Sequence, residues 1–191
     1  MKPILFFDTE TTGLPDWNVP SDDECQPHIV ELAALLVDPK SMNSLASLDV
    51  IVRPDGWVIP DETIEVHGIS NEKAAEEGIS EKDALEMFLA LYSKSSIRVA
   101  HNTTFDNRII RIALKRHLPD AVSDEQWKDK SSYHCTMIDH SKTHGGKWPK
   151  LQEAYKFHFG VDFEDAHRAM SDVKACMKVY FAARELAKNA A

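Results

Sequence analysis

Three groups of residues, far apart in the chain, carry side chains that bind divalent cations or transfer protons. In the first group, Asp8 and Glu10 lie two residues apart at the end of an apolar segment that begins at Ile4. Side chains two residues apart in a β-strand point to the same face, so both carboxylates are expected to leave the sheet together. Paired carboxylates of this kind bind hard cations through oxygen. Taken alone, such a pair is more often the start of a polar turn.

The second and third groups are Asp106, in the middle of the chain, and His167 with Asp172, near its end. Thr103–Asp106 has the pattern of a capping box, which predicts a helix start that positions the acid. Five residues separate His167 from Asp172, which is about 140° around an α-helix. We therefore predict that His167 lies in the loop before a helix and that Asp172 lies in its first turns. Taken singly, each of these residues has another interpretation, as a surface residue or as an ordinary residue at a helix start.

The pattern of apolar residues predicts the elements that position these groups. Strands are predicted at 4–8, 29–38, 45–54, 97–102 and 133–136, and helices at 80–93, 105–118, from about 150, and at 169–187. The core side of the last helix is predicted to hold Val173, Met177, Tyr180 and Leu186. Three strands followed by alternating helices and strands indicate an α/β domain with a mixed central sheet.

Two connecting segments are unusual. Pro15–Pro27 contains three prolines and an acidic run, and it is predicted to be an exposed loop that shapes an entrance or docks a partner. Lys142–Lys150 is locally basic and contains Trp148, a side chain able to stack on a nucleobase. Packing of Trp148 against the edge of the core is the favoured alternative.

Length and composition limit the class of protein. The 191 residues fit a single domain, 1–191, and a net charge of −9 disfavours a protein that coats nucleic acid. An enzyme that holds a few nucleotides through bound metal ions remains compatible with that charge. The sequence contains no apolar run typical of a signal peptide or a membrane span, so a cytoplasmic protein with no membrane contact is expected.

The cysteine and histidine content indicates free thiols rather than a zinc site. Cys25, Cys135 and Cys176 are odd in number and lack a paired spacing, which is typical of thiols in a reducing compartment. A second possible ligand set is clustered in sequence but matches no standard zinc pattern. It comprises His134, Cys135, His140 and His144.

Taken together, the three groups resemble the DEDDh (DnaQ-like) family of 3′→5′ exonucleases, which includes the epsilon proofreading subunit of bacterial DNA polymerase III, RNase T and oligoribonuclease. The chain shows D-X-E, H-N-X-X-F-D and H-X-A-X-X-D in the family order. Its segments "TTGL", "HIVELAAL", "IPDETIEVHGIS" and "LQEAYKFHFGVDFEDAHRAMSDVKA" also look like family segments in that order. The resemblance covers nearly the whole chain and implies a ribonuclease H-like fold.

The resemblance implies a catalytic role for each group. Asp8, Glu10, Asp106 and Asp172 would hold two divalent cations, Mg²⁺ or Mn²⁺, which clamp the attacking and leaving oxygens at phosphorus. His167 would accept a proton from the attacking water, a role suited to imidazole near neutral pH. The products would be nucleoside 5′-monophosphates.

The resemblance also implies contacts to the substrate. The backbone at Thr11 would meet the terminal 3′-hydroxyl, and Leu14 would lie beside the terminal base. The remaining positions are Glu62 and His67 near the terminal nucleotide, and His101, Asn102 and Phe105 near the scissile or preceding nucleotide. Packing in the core is an equally good alternative for Leu14 and Phe105.

The expected partner is the 3′ end of single-stranded nucleic acid, with DNA favoured over RNA. Two other functions stay open. One is an exonuclease that trims RNA or oligoribonucleotides, and the other is a subunit that acts mainly by contacting a DNA polymerase. The sequence leaves open whether the protein is a monomer or a homodimer.

Overall fold

The computed structural model describes residues 2–141, 143 and 145–189, which form one five-stranded sheet with helices on both faces. The strands are β1 (Ile4–Thr11), β2 (Ile29–Val37), β3 (Ser44–Ile51), β4 (Ile97–Ala100) and β5 (Tyr133–Cys135). The α-helices are α1 (Asp61–His67), α2 (Asn71–Glu77), α3 (Glu81–Tyr92), α4 (Thr103–His117), α5 (Asp124–Lys128), α6 (Thr136–Ser141), α7 (Leu151–Phe159) and α8 (Ala169–Asn189). No helix among the described residues is long and apolar enough to cross a membrane.

The strands are arranged in the order β3-β2-β1-β4-β5. The first three form an antiparallel meander, and β4 and β5 run parallel to β1. This is the mixed sheet that the sequence predicted. Because β1, β4 and β5 are parallel, the residues that follow each of them meet at one edge of the sheet.

The apolar run of β2 is buried along its whole length because the sheet is covered on both faces. Alternate residues of β2 pack with α3 and α4 on one face, while the others pack with α8 on the opposite face. In β1, Phe7 belongs to the first face and Phe6 to the second. The alternation of β1 therefore directs Asp8 and Glu10 toward the α8 face.

The prediction for the core side of α8 is largely confirmed. Val173 and Tyr180 are buried, and Met177 packs against them from a partly buried position. Leu186 was predicted wrongly, because its side chain is 52% exposed. It lies six residues after Tyr180, which is about 120° away from the buried line of the helix.

The segment Pro15–Pro27 is a long connection, as predicted, but it is not simply an exposed loop. The Gln26 amide is buried and donates to backbone carbonyls within the loop, at 2.8 Å in the shortest case. Arg108, Arg111 and Arg116 of α4 donate to carbonyl or hydroxyl oxygens of the loop. These contacts give the loop a defined position on α4 in spite of its prolines and acidic residues. All three cysteines are free; Cys135 and Cys176 are buried thiols, as expected, whereas Cys25 is exposed.

A buried carboxylate, Glu81, joins the start of α3 to β2 and α4. It accepts hydrogen bonds from the Ile29 N–H at 2.9 Å, from Arg116 at 3.2 Å and from His117 at 2.7 Å. Burial by itself would raise the pKa of Glu81, but the bonds from His117, His28 and Ile29 outweigh burial and hold that pKa well below its usual value. The ionised Glu81 therefore stabilises the fold.

We expect Glu81→Gln to lower the free energy of unfolding at pH 7 by about 1–3 kcal/mol, because charge-assisted hydrogen bonds of a buried group are lost. Since the folded pKa is depressed, this contribution is complete above the unfolded pKa of about 4.3 and is lost as the pH falls through the folded value. Urea unfolding from pH 7 to pH 3 measures it. The control is Glu86→Gln, which removes an exposed pair with Lys82 on the same helix. Equal losses in both variants would contradict the role of Glu81.

Candidate active site

The two carboxylates of β1 lie on the face of the sheet that α8 covers. β1 continues to Thr11, so Asp8 and Glu10 are inside the strand rather than in a turn after it. Glu10 is paired with Glu31 of β2, and the ladder is irregular immediately after Glu10. The strand therefore holds both carboxylates in fixed positions, which a polar turn would not do.

Asp106 is buried in the first turn of α4 and bonds to β1. One of its carboxylate oxygens accepts from the Thr9 N–H at 3.1 Å and from the Thr9 hydroxyl at 2.9 Å. The capping box predicted at Thr103–Asp106 is wrong. The Thr103 hydroxyl instead donates to backbone carbonyls, among them that of Ala100. The N-cap residue is Asn102, in a left-handed conformation with φ 68°.

His167 lies in the turn before α8, and Asp172 lies in the first turn of that helix, as the spacing predicted. The His167 N–H donates to Asp172 Oδ2 at 3.2 Å. His167 has φ 68°, a conformation that costs most residues energy, and its side chain is exposed. The turn thus presents an accessible imidazole beside the Asp172 carboxylate. Ligand atoms of Glu10, His167 and Asp172 all lie within 4.8 Å of one another.

The four acids Asp8, Glu10, Asp106 and Asp172, here called the carboxylate cluster, all have pKa values above their usual range. Burial is the largest cause and mutual repulsion adds to it: the pKa of Asp8 is well above its usual value, and that of Glu10 rises to about 8. Burial also raises the pKa of Asp106 to about 7 and that of Asp172 to about 6, although hydrogen bonds from Thr9 and from the His167 backbone oppose these shifts.

The carboxylate cluster has the chemistry of a site for divalent cations. All four side chains offer oxygen donors, which suit Mg²⁺ or Mn²⁺ better than a softer metal. Burial disfavours the ionised forms of all four acids, and repulsion between carboxylates adds to this for Asp8 and Glu10. Bound cations would stabilise the ionised forms. The residues present therefore fit divalent cations.

Without divalent cations, we expect the protein to lose stability as the pH rises from 5 to 8. The folded carboxylates keep protons that the unfolded chain releases, so stability is highest below the unfolded pKa values and declines through the raised folded ones. Millimolar Mn²⁺ should raise the melting temperature most at pH 8, and Asp8→Asn should reduce both effects. Thermal melts with EDTA or Mn²⁺ measure this. Identical shifts in wild type and Asp8→Asn would exclude Asp8 as a ligand, and exposed Asp120→Asn is the control.

Two residues of the site, Glu31 and Arg168, were missed by the sequence analysis. Glu31 is buried and accepts from Arg168 at 2.6 Å and from the Ala169 N–H at 2.9 Å. Because Arg168 follows His167 directly, this ion pair fixes the His167 turn to β2. The sequence did contain a signal, since Glu31 is a charged residue inside an otherwise apolar strand.

The residues predicted near the terminal nucleotide differ in exposure. Leu14 is 84% exposed and Glu62 is exposed on α1, so core packing is excluded for Leu14. Thr11 is buried, and its hydroxyl donates to the Gly13 carbonyl at 2.8 Å. His67 is buried and its Nδ1 accepts from the Ile69 N–H at 3.1 Å. The remaining nitrogen of His67, Nε2, is buried without a hydrogen-bond partner among the described residues.

The residues predicted near the scissile or preceding nucleotide follow β4. His101 is partly buried and Asn102 is exposed. Burial lowers the pKa of His101 to about 4, although its hydrogen bond to the Pro149 carbonyl opposes the shift, so its imidazole is neutral at pH 7. Phe105 packs partly against the core, as its alternative interpretation predicted.

The second histidine-rich set does not form a metal site among the described residues. His134 contacts Asp139 at 2.5 Å, and His140 contacts the Thr136 carbonyl and His158. His144 lies outside the described residues. Within the described part of the chain, Glu10, His167 and Asp172 are the group of ligating side chains close enough to share an ion.

Three kinds of comparison place the chain among known proteins. A model of the exonuclease family, of the RNase T type, matches residues 5–180. No curated protein matches the chain. Solved structures of exonuclease I are similar to it: that of Methylocaldum szegediense has a TM-score of 0.74 at 22% identity and is matched over 97% of this chain and 41% of its own.

Two structures of E. coli exonuclease I are also similar to this chain. One is a complex with a dT13 oligonucleotide, with a TM-score of 0.71 at 21% identity over 94% of this chain and 40% of its own. The other is a zinc-bound form of a complex with single-stranded DNA. It has a TM-score of 0.71 at 19% identity over 97% of this chain and 41% of its own. This chain therefore spans about two fifths of the exonuclease I chains. The likeness confirms the ribonuclease H-like fold.

Proposed function

We propose that this chain, which belongs to the exonuclease family, is a 3′→5′ exonuclease that shortens single-stranded DNA one nucleotide at a time. The observation that carries the proposal is that β1, α4 and α8 place four carboxylates in one electrostatically interacting cluster, with Glu10 and Asp172 close to an exposed His167. Their raised pKa values support a site that is completed by two divalent cations. The exonuclease I structures with bound oligonucleotide support a single-stranded substrate.

In the proposed mechanism the carboxylate cluster would hold two divalent cations. Asp8, Glu10, Asp106 and Asp172 would be their ligands, and the bound cations would stabilise the charge on the attacking and leaving oxygens at phosphorus. The oxygen donors favour Mg²⁺ or Mn²⁺, and the zinc-bound exonuclease I supports a divalent ion in general. Asp106 is kept in place by Thr9, so the ligand geometry is set before the substrate arrives.

His167 would accept the proton of the attacking water. Its imidazole is exposed, next to Asp172, and its backbone is fixed by the bond to that carboxylate and by the Glu31–Arg168 ion pair. A base held by two anchors loses little entropy in the transition state. Proton acceptance by His167 would therefore give water enough nucleophilicity for attack at the scissile phosphate.

The terminal nucleotide would lie beside the β1–β2 end of the site. Leu14 offers an exposed apolar surface for the terminal base, and the backbone near Thr11 would meet the 3′-hydroxyl. The unpaired Nε2–H of His67 would donate to the nucleotide, which would recover the cost of burying a donor without a partner. Glu62 on α1 would complete this end of the site.

RNA is the second candidate substrate. A net charge of −9 gives little attraction for a long polyanion, so short oligoribonucleotides would suit the protein better than long strands. A module that acts only by contacting a polymerase is less consistent with four carboxylates crowded at a cost in stability. Such a cost is typical of a functional site.

The test is a comparison of DNA and RNA oligonucleotides of the same sequence, labelled at the 5′ end, with Mg²⁺ or Mn²⁺. We expect a ladder of products that shortens by one nucleotide at a time, nucleoside 5′-monophosphates as the released product, and faster cleavage of DNA. EDTA should stop the reaction. Internal cuts, or loss of the 5′ label as a mononucleotide, would contradict the proposal.

A further inference from the structure

A cavity of about 500 Å³ opens directly beside the proposed catalytic residues. His167 and Asp172 form one side of it, and His101 and Asn102, which follow β4, form another. The lining also includes the segment that leads into α7, with Trp148. We call this space the Trp148 cavity. Its volume lies in the range of sites that hold small organic ligands.

Hydrogen bonds between separate segments fix the walls of the Trp148 cavity. The two ring nitrogens of His101 contact the Thr136 hydroxyl and the Pro149 carbonyl, each at 2.9 Å. On the other side, the Gln152 amide donates to the Phe163 carbonyl at 2.8 Å and accepts from the Phe163 N–H at 2.9 Å. The cavity is therefore preformed, and a ligand that enters it does not have to order its walls.

Trp148 presents its indole to solvent at this cavity. Its side chain is 70% exposed, whereas the adjacent Pro149 is buried and held by His101. The favoured prediction that Trp148 closes the edge of the core is thus wrong. Lys147 and Lys150 are exposed on either side of this pair. An exposed aromatic ring flanked by cations beside a phosphodiester-cleaving site is suited to a nucleobase and its phosphate.

We infer that the Trp148 cavity binds the base of the nucleotide that precedes the 3′-terminal one, by stacking on Trp148. This inference rests on the proposed function. The chain order supports the assignment: Leu14, proposed for the terminal nucleotide, lies on the β1–β2 side because it follows β1 in the connection to β2. The Trp148 cavity lies on the β4 side because His101 and Asn102 in its lining follow β4. A strand with its scissile phosphate at the carboxylate cluster would extend from the first side to the second.

The test uses DNA oligonucleotides in which a single base is replaced by an abasic tetrahydrofuran, at the second or at the fourth position from the 3′ end. For the wild type, removal of the second base should lower kcat/KM for the first cleavage by roughly 5- to 150-fold, the range for one stacked base. Removal of the fourth base should have little effect. In Trp148→Ala, the intact oligonucleotide should lose a similar factor, and removal of the second base should then cost nothing more.

Two control variants make the result specific. Trp148→Phe keeps an aromatic ring and should restore most of the sensitivity to the second base. Trp17→Ala removes another exposed tryptophan, on the loop after β1, and should leave that sensitivity unchanged. The inference is overturned if the second base contributes equally in wild type and Trp148→Ala, or if its removal has no effect in the wild type. Failure of the wild type to shorten the intact oligonucleotide would instead overturn the proposed function.

Discussion

Asp172→Asn should lower kcat/KM on a single-stranded oligonucleotide by roughly a thousandfold or more. A cation ligand stabilises charge in the transition state by several kcal/mol, and each 1.4 kcal/mol is a factor of ten in rate. Asparagine keeps the shape of the side chain and an oxygen that accepts from the His167 N–H, so the turn before α8 should survive. The loss would then come from the missing charge.

Cation titration distinguishes this explanation from misfolding. In Asp172→Asn, the Mn²⁺ concentration that gives half of the maximal rate should rise, and the Mn²⁺-induced increase in melting temperature should shrink. Asp120→Asn, which removes an exposed carboxylate in the turn after α4, should change neither quantity. If Asp172→Asn kept the wild-type response to Mn²⁺ while losing activity, Asp172 would not be a ligand.

The positions of the proposed catalytic residues could be predicted because local periodicity determines them. The two-residue period of β1 places Asp8 and Glu10 on one face, and the five-residue separation places His167 outside the helix that carries Asp172. The apolar runs of β1, β2 and β4 gave the central strands for the same reason. The order of the three motifs then gave the family, which no single motif could do.

Contacts between distant segments could not be predicted in this way. Thr9 and Asp106 are 97 residues apart, and Glu31 and Arg168 are 137 apart, yet both pairs determine the geometry of the site. At Thr103–Asp106 the local pattern was misleading, because a tertiary hydrogen bond took the carboxylate that a capping box would use. A local sequence pattern reports only the short-range hydrogen bond that a side chain is able to form. It does not report the long-range hydrogen bond that competes with it.

The local sequence pattern also failed to predict the short helices and the exposure of single residues. Helices α1 and α2 have seven residues each, too few for a periodic apolar face, and they were missed. Their ends carried usable signals, since Gly68 has φ 72° and Ser70 caps α2 by accepting from the Lys73 N–H. A tryptophan side chain is usually buried. In the structure His101 holds the adjacent Pro149 instead, and the Trp148 indole is exposed.

His167→Asn should lower kcat by about 10²–10⁴-fold while leaving substrate and cation binding close to wild type. Asparagine is the sharper substitution because His167 has φ 68°, which asparagine tolerates and alanine does not. A loss in His167→Asn therefore reports the missing proton acceptor rather than a strained turn. His167→Ala should lose at least as much activity and somewhat more stability.

A second role for His167, as a cation ligand, is also testable, because its ring lies within 4.8 Å of ligand atoms of Glu10 and Asp172. A general base and a cation ligand differ in two measurements. If His167 is the base, His167→Asn keeps both the full Mn²⁺-induced rise in melting temperature and the wild-type Mn²⁺ concentration that gives half of the maximal rate. A reduced Mn²⁺ response, similar to that of Asp172→Asn, would identify a ligand instead. Turnover close to wild type in His167→Asn would exclude both roles and leave activation of the water to the cations alone.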